Sequence, residues 1–144
     1  MCATYYARTS DHGYETCAEH LAMAGCLAGG FAKGFGYLDD GLLAGLVHDL
    51  GKYSDAFQRR IRNPDHCGPV DHSTAGALLL MRHVCPLAAM AVAGHHAGLP
   101  DLGSYGELEG STFMSRMNRA RRAGDCNPLA LAQAGEAQLD IPQS

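Results

Sequence analysis

The chain has 144 residues and a mass of 15.2 kDa, the size of a single domain. With 47% hydrophobic and 18% charged residues it is neither disordered nor starved of core material. The absence of tryptophan, the scarcity of β-branched residues and the abundance of Ala and Leu exclude a β-sandwich or barrel, and a net charge of −4 excludes a uniformly basic nucleic-acid coat.

In chain order, a short irregular start precedes a helix expected over Thr16–Phe35, with Leu21, Ala24, Leu27, Ala28 and Phe31 at helical spacing on its apolar side. A second helix is expected from Leu38 to about Gly51, carrying Leu42, Leu43, Leu46 and Val47. A third spans Ser54–Arg62, with Ser54 as its N-cap and Pro64 beyond its end. A polar loop over 63–70 leads to a fourth helix starting at Asp71. Pro86 opens a fifth that runs to His95 and His96, closed by Gly98 and Pro100. Helices over Ser111–Arg122 and Pro128–Leu139 complete the series. No segment shows the period-two alternation of a sheet, so the expected fold class is all-α.

The N-terminus lacks the basic start and apolar run of a secretory leader, and the longest apolar stretch, Leu87–Ala93, is far short of the ~20 residues of a membrane span. The six cysteines are scattered without a Cys-x-x-Cys pair and read as reduced core residues, which sets the expectation of a cytoplasmic protein without membrane contact. Gly45 to Lys52 imitates a phosphate-binding loop but has five residues between its glycines and Tyr53 where Ser or Thr is required, so no ATP site is expected.

Eight histidines are many for this length, and their positions matter more than their number. His20 lies in the first helix, His48 and Asp49 near the end of the second, His72 at the start of the fourth, and His95 and His96 at the end of the fifth. Imidazole with carboxylate is a donor set for divalent transition metals. Adjacent His and Asp diverge by about 100° on a helix, so Asp49 can lie between two ions while His48 serves one. A His doublet at one helix end is costly to bury without a ligand. His12, His66 and His83 have no partners in this pattern. Eight of the 11 basic residues fall in two strips, Lys52, Arg59, Arg60 and Arg62, and Arg116, Arg119, Arg121 and Arg122. Each reads either as a solvated helix face or as a contact for phosphates.

His48-Asp49, with His20 upstream and His72, His95 and His96 downstream, resembles the HD superfamily of metal-dependent phosphohydrolases. Three longer strings, Leu46–Ile61, Asp71–Ala77 and Ala93–Asp101, resemble the HD nuclease domain of the CRISPR-associated helicase–nuclease of type I interference systems; the similarity spans about Tyr5 to Asp101. The resemblance implies a helical domain, here the whole of 1–144, that cuts single-stranded DNA in antiviral defence with one or two divalent ions (Mn, Ni, Co, Fe or Mg). It implies a superfamily 2-type helicase domain or subunit and an RNA-guided multi-subunit effector complex as partners.

Carried over by position, His20, His48 and Asp49 hold the first ion, Asp49 bridges, and His72, His95 and His96 complete the second. Lys52 neutralises charge on the scissile phosphate, and His48, Asp49 and Lys52 form the catalytic set. Arg59, Arg60, Arg116, Arg119, Arg121 and Arg122 become candidate DNA contacts. Ser73 and Thr74 read as helix caps, and Tyr53 as a core residue or a stacking platform. The family's further Asp, downstream of the His doublet, has no recognisable counterpart; beyond Asp101 only Asp125 and Asp140 are available, and the chain is expected to stop short of it. The alternatives are an HD phosphohydrolase acting on nucleotides, which needs a closed pocket, and a non-catalytic HD interaction module.

Overall fold

A computed structural model describes residues 4–83 and 85–123. The stretch 128–139, expected as a helix, and Asp125 and Asp140 lie outside the described residues.

The first element departs from an all-helical fold. β1 (Tyr6–Ser10) and β2 (Gly13–Thr16) form an antiparallel hairpin where an irregular start was expected. Gly13, at φ 122°, makes the tight return that a side-chain-bearing residue rarely adopts. Ala7 is the buried position of β1. The strand is held to the body by the amide of Gln58, which donates to Tyr6 O at 2.9 Å and accepts from Tyr6 N at 3.1 Å. That side chain occupies the hydrogen-bonding edge a third strand would use. A hairpin this short carries too few residues for its alternation to stand out.

α1 (Cys17–Lys33) starts at a capping box: Glu19 N donates to the Thr16 hydroxyl, and the Glu19 carboxylate accepts from Thr16 N. Its buried stripe is Cys17, Leu21, Gly25 and Gly29. Leu27 and Phe31, placed by spacing on the apolar side of the helix, are 57% and 78% exposed, and with Met23 and Phe35 they form an outward apolar row. The reason is the packing partner. α2 (Leu38–Val47) lies on the glycine side of α1, so close that a Cβ at Gly41 would stand 2.6 Å from Ala28 O and one at Gly45 would stand 2.7 Å from Gly25 Cα. Backbone proximity displaces the larger side chains to the outside.

α2 ends at Val47, before His48, and the chain tightens into a 3-10 turn over Leu50–Tyr53 where the helix was expected to continue to Gly51. α3 (Asp55–Arg62) follows, its Ser54 cap accepting from Phe57 N at 3.3 Å. α4 (Thr74–Arg82) is the central helix, buried without interruption from Thr74 to Leu80. It packs against α5 (Pro86–Gly94) and touches α2 and α6 (Phe113–Arg122). Leu46, Val47, Leu50, Leu78, Leu80, Val92, Phe113 and Met117 meet in the shared core. Of the cysteines described, Cys17 alone is buried, its thiol pushed up to about 12 by burial. Cys26 is exposed and Cys67 and Cys85 are half-buried, so the core reading holds for one of these four. Among the described residues no helix is long and apolar enough to cross a membrane.

Gly76 is the tightest contact of the central helix, because a Cβ there would collide with the Val47 carbonyl oxygen at the end of α2. Gly76→Ala must push α4 away from α2 and is expected to cost roughly 3 kcal/mol or more, measured by urea unfolding. A cost below about 1 kcal/mol would show that the two helices are not locked at this point.

Candidate metal centre

The break after Val47 creates the site. His48 keeps helical dihedrals, but Asp49 sits at φ −111°, ψ 25°, which turns its carboxylate inward until it is 3% exposed. His48 and Asp49, which would diverge on a continuous helix, converge here with Nε2 and Oδ2 3.1 Å apart. Four further groups reach the same carboxylate. His20 Nε2 from α1 lies 3.1 Å from Oδ2, and Lys52 Nζ from the 3-10 turn lies 2.7 Å from it. His95 Nε2, just past α5, and His72 Nε2, just before α4, lie 3.2 and 3.4 Å from Oδ1.

Most of these rings are oriented from behind by backbone. His48 Nδ1 donates to Gly45 O at 2.8 Å and His95 Nδ1 to Val92 O at 2.7 Å, so each bonds the last-turn carbonyl three residues before it. His72 Nδ1 donates to Val70 O at 3.0 Å. A carbonyl only accepts, so Nδ1 carries the proton in all three, and a neutral ring then presents the lone pair of Nε2 to the carboxylate. Lone pairs facing a carboxylate repel unless a cation lies between them. Asp49 Oδ1 is buried and has no well-aligned hydrogen-bond donor, although two imidazole Nε2 atoms stand within 3.4 Å. That orphaned oxygen and the converging Nε2 atoms fit a divalent ion.

The donor atoms form two groups that share Asp49, one with His20 and His48, the other with His72, His95 and His96. The six residues expected as ligands are therefore brought together, although the sequence reading had His48 and Asp49 inside a helix and His72 at a helix start. The loop containing His72 is seated by Gly51, whose N–H donates to His72 O at 3.0 Å; a Cβ at Gly51 would stand 2.5 Å from His72 Cα. His96 is exposed and meets the site through His72, with their Nε2 atoms 2.7 Å apart.

One participant escaped the sequence reading. Glu15 of β2 lies 3.4 Å from His20 Nδ1 and is paired in turn with Arg8. A carboxylate behind a ligating imidazole fixes its tautomer and raises its basicity. The signal was hidden because Glu15 belongs to the unrecognised hairpin.

The arginines are dispersed. Arg116 donates to Ala93 O and to the Ser73 and Thr74 hydroxyls, Arg119 to Leu108 O and Gly110 O, and Arg60 to Cys67 O. Arg59, Arg121 and Arg122 are exposed. Tyr53 is buried with its ring 5.1 Å from that of Tyr5, which makes it a core residue and removes it as a stacking platform. Helix capping at the start of α4 falls to Asp71, which accepts from Ser73 N and Thr74 N at 3.1 Å. Asp101 is exposed and belongs to neither ligand group.

Burial works against ionisation of Asp49, but the Nε2 atoms of His20, His48 and His95, which donate to it whenever they carry a proton, outweigh burial and hold the carboxyl far below the usual range. A proton on His95 Nε2 would be shared with Asp49, which raises His95 above its ordinary 6.5, whereas burial and the neighbouring His95 and His72 lower His96. In the metal-free chain the charged His95–Asp49 contact therefore stabilises the fold fully below 6.5 and is lost as pH rises through the raised value. Metal ligation needs neutral imidazoles, so ions and protons compete. The rise in melting temperature given by Mn2+ over EDTA is expected to grow between about pH 6 and about pH 8. A rise that shrinks over that interval would contradict ligation by His95.

No protein-family profile matches this chain and no curated protein matches it, so the assignment of the centre rests on its own geometry.

Proposed function

We propose that the chain is a divalent-metal-dependent phosphodiesterase of HD type that cleaves single-stranded DNA, acting in type I CRISPR interference. In that setting it works in the cytoplasm beside a superfamily 2-type helicase and an RNA-guided effector complex. The observation that carries the reading is the buried, orphaned Asp49 carboxylate enclosed by imidazole Nε2 atoms on two sides. A structural zinc site is disfavoured by the absence of thiolates from both groups. Nitrogen-rich donors suit Mn, Fe, Co or Ni better than Mg.

A divalent ion bound there supplies Lewis acidity to a phosphoryl oxygen and lowers the pKa of water. The chain's own residues do the rest. Asp49 offers one oxygen to each ligand group and so couples them. His20 and His48 hold one side, His72, His95 and His96 the other, with rings preset by backbone carbonyls in three of the five. Lys52 provides a positive charge beside Asp49 for an anionic substrate, and its side chain is 12% exposed. The imidazoles of His20 and His95 remain 23% and 24% exposed, which suits a long strand passing across the centre.

Asp49→Ala is expected to abolish Mn2+- or Ni2+-dependent cleavage of labelled single-stranded DNA and to lower metal content, with helix content unchanged because Asp49 lies outside every helix. A variant that cuts like the parent would defeat the assignment, and cleavage of mononucleotides with DNA left intact would redirect it to a small substrate.

Lys52 competes with the ion for Asp49 Oδ2. Lys52→Met should therefore bind Mn2+ more tightly, by roughly tenfold or about 1.4 kcal/mol, while losing strand cleavage. Weaker binding, read by calorimetry, would make Lys52 a support of the site instead.

A further inference from the structure

α6 contributes no atom to either ligand group among the described residues, yet Arg116 on its first turns reaches toward the centre. Its guanidinium stands between two helix ends. Nη1 donates to Ala93 O at 2.7 Å, one of the last-turn carbonyls of α5. Nη2 donates to Thr74 Oγ1 at 3.0 Å and to Ser73 Oγ at 3.2 Å, at the start of α4, and lies 3.6 Å from Asp71 Oδ2. Asp71 in turn accepts the Ser73 and Thr74 N–H groups. The acceptor-rich end of α5 and the donor-rich start of α4 are thus joined by one Arg–Asp pair that serves both.

The residues so joined flank ligands. His72 lies between Asp71 and Ser73, and His95 is two residues beyond Ala93. The guanidinium therefore ties the backbone on either side of the gap that His72, His95 and His96 share, a gap in which the Nε2 atoms of His72 and His96 are 2.7 Å apart. His20 stands on α1 and His48 at the end of α2, and among the described residues Arg116 bonds neither the helix nor the loop that holds them. We infer that Arg116 is a positioning residue for the Asp49–His72–His95–His96 group, setting the spacing of its donors without touching metal or substrate, and that α6 acts on the site through this one side chain. The inference rests on the metal-centre reading. It also shifts Arg116 from a DNA contact to an internal strut.

The test is calorimetric titration of the full 144-residue chain with Mn2+ alone, for the parent, Arg116→Met and Arg116→Lys. The parent is expected to take two ions. In Arg116→Met one ion should bind as in the parent and the other about 10- to 100-fold more weakly, the usual effect of losing an outer partner of a metal ligand. Arg116→Lys should behave like Arg116→Met, because a point charge cannot span Ala93 O and the two hydroxyls as a fork does. Parent-like binding of both ions by a folded Arg116→Met overturns the inference, as does full rescue by lysine.

The second measurement needs no metal. Nitrogen NMR of the imidazoles in EDTA should show His72, His95 and His96 displaced in Arg116→Met, with His20 and His48 unmoved. Displacement of all five rings, or of none, would also overturn the inference. If the parent binds no ion, the metal reading fails by itself and these spectra still decide the role of Arg116. Should Arg116→Met not fold, Ser73→Ala removes one acceptor of the guanidinium and must give the same pattern with smaller size.

Discussion

A carboxylate with only 3% of its surface exposed has to be answered by positive charge or by hydrogen bonds, because an unpaired buried ion costs several kcal/mol. Asp49 sets that requirement, and much of the molecule is arranged around it. The end of α2, the following 3-10 turn, the approach to α4, the exit of α5 and the first third of α1 each deliver one cationic or metal-ligating group to it. In the metal-free chain Lys52, joined by His95 while it is protonated, balances the charge. A divalent ion held there would be a better match, because it would also satisfy the Nε2 lone pairs that the backbone carbonyls of Gly45, Val70 and Val92 turn toward the carboxylate.

The same device recurs at two helix ends. His48 and His95 each stand at the C-cap and each bonds the carbonyl three residues earlier, so a group left unpaired by helix termination orients a ligand. Helix termination and site construction are thus a single event. Close backbone packing supplies the distances. Glycines at the α1–α2 contact bring His20 within reach of Asp49, and Gly51 lets the loop containing His72 settle against the turn containing Lys52. Outside this layer, Glu15 behind His20 and Arg116 between α4 and α5 hold the two ligand groups from opposite flanks.

Much of the candidate site was legible in the sequence because its donors are chemically rare and come in a fixed order. Imidazoles paired with a carboxylate stand out against an Ala- and Leu-rich background wherever the chain places them. The helices were legible for a related reason: Ser54, Pro64, Pro86 and Gly98 punctuate the chain by local backbone chemistry that needs no partner. The hairpin was not legible, since nine residues of strand show little alternation and are held by an amide 52 residues away. Nor was the outward face of α1, since periodicity marks an apolar side without saying which part of it a neighbour covers.

By itself, then, the sequence determined the helical class, the helix punctuation and the identity of six metal-donor candidates, because each follows from residue chemistry or short-range spacing. Tertiary structure alone decided that His48 and Asp49 leave the helix, that Glu15 stands behind His20, that Tyr53 is buried, and that Arg116 turns inward to join two helix ends. Those outcomes depend on how closely α1, α2, α4 and α5 approach one another. That approach is set by clashes and hydrogen bonds between residues tens of positions apart, and no local pattern encodes it.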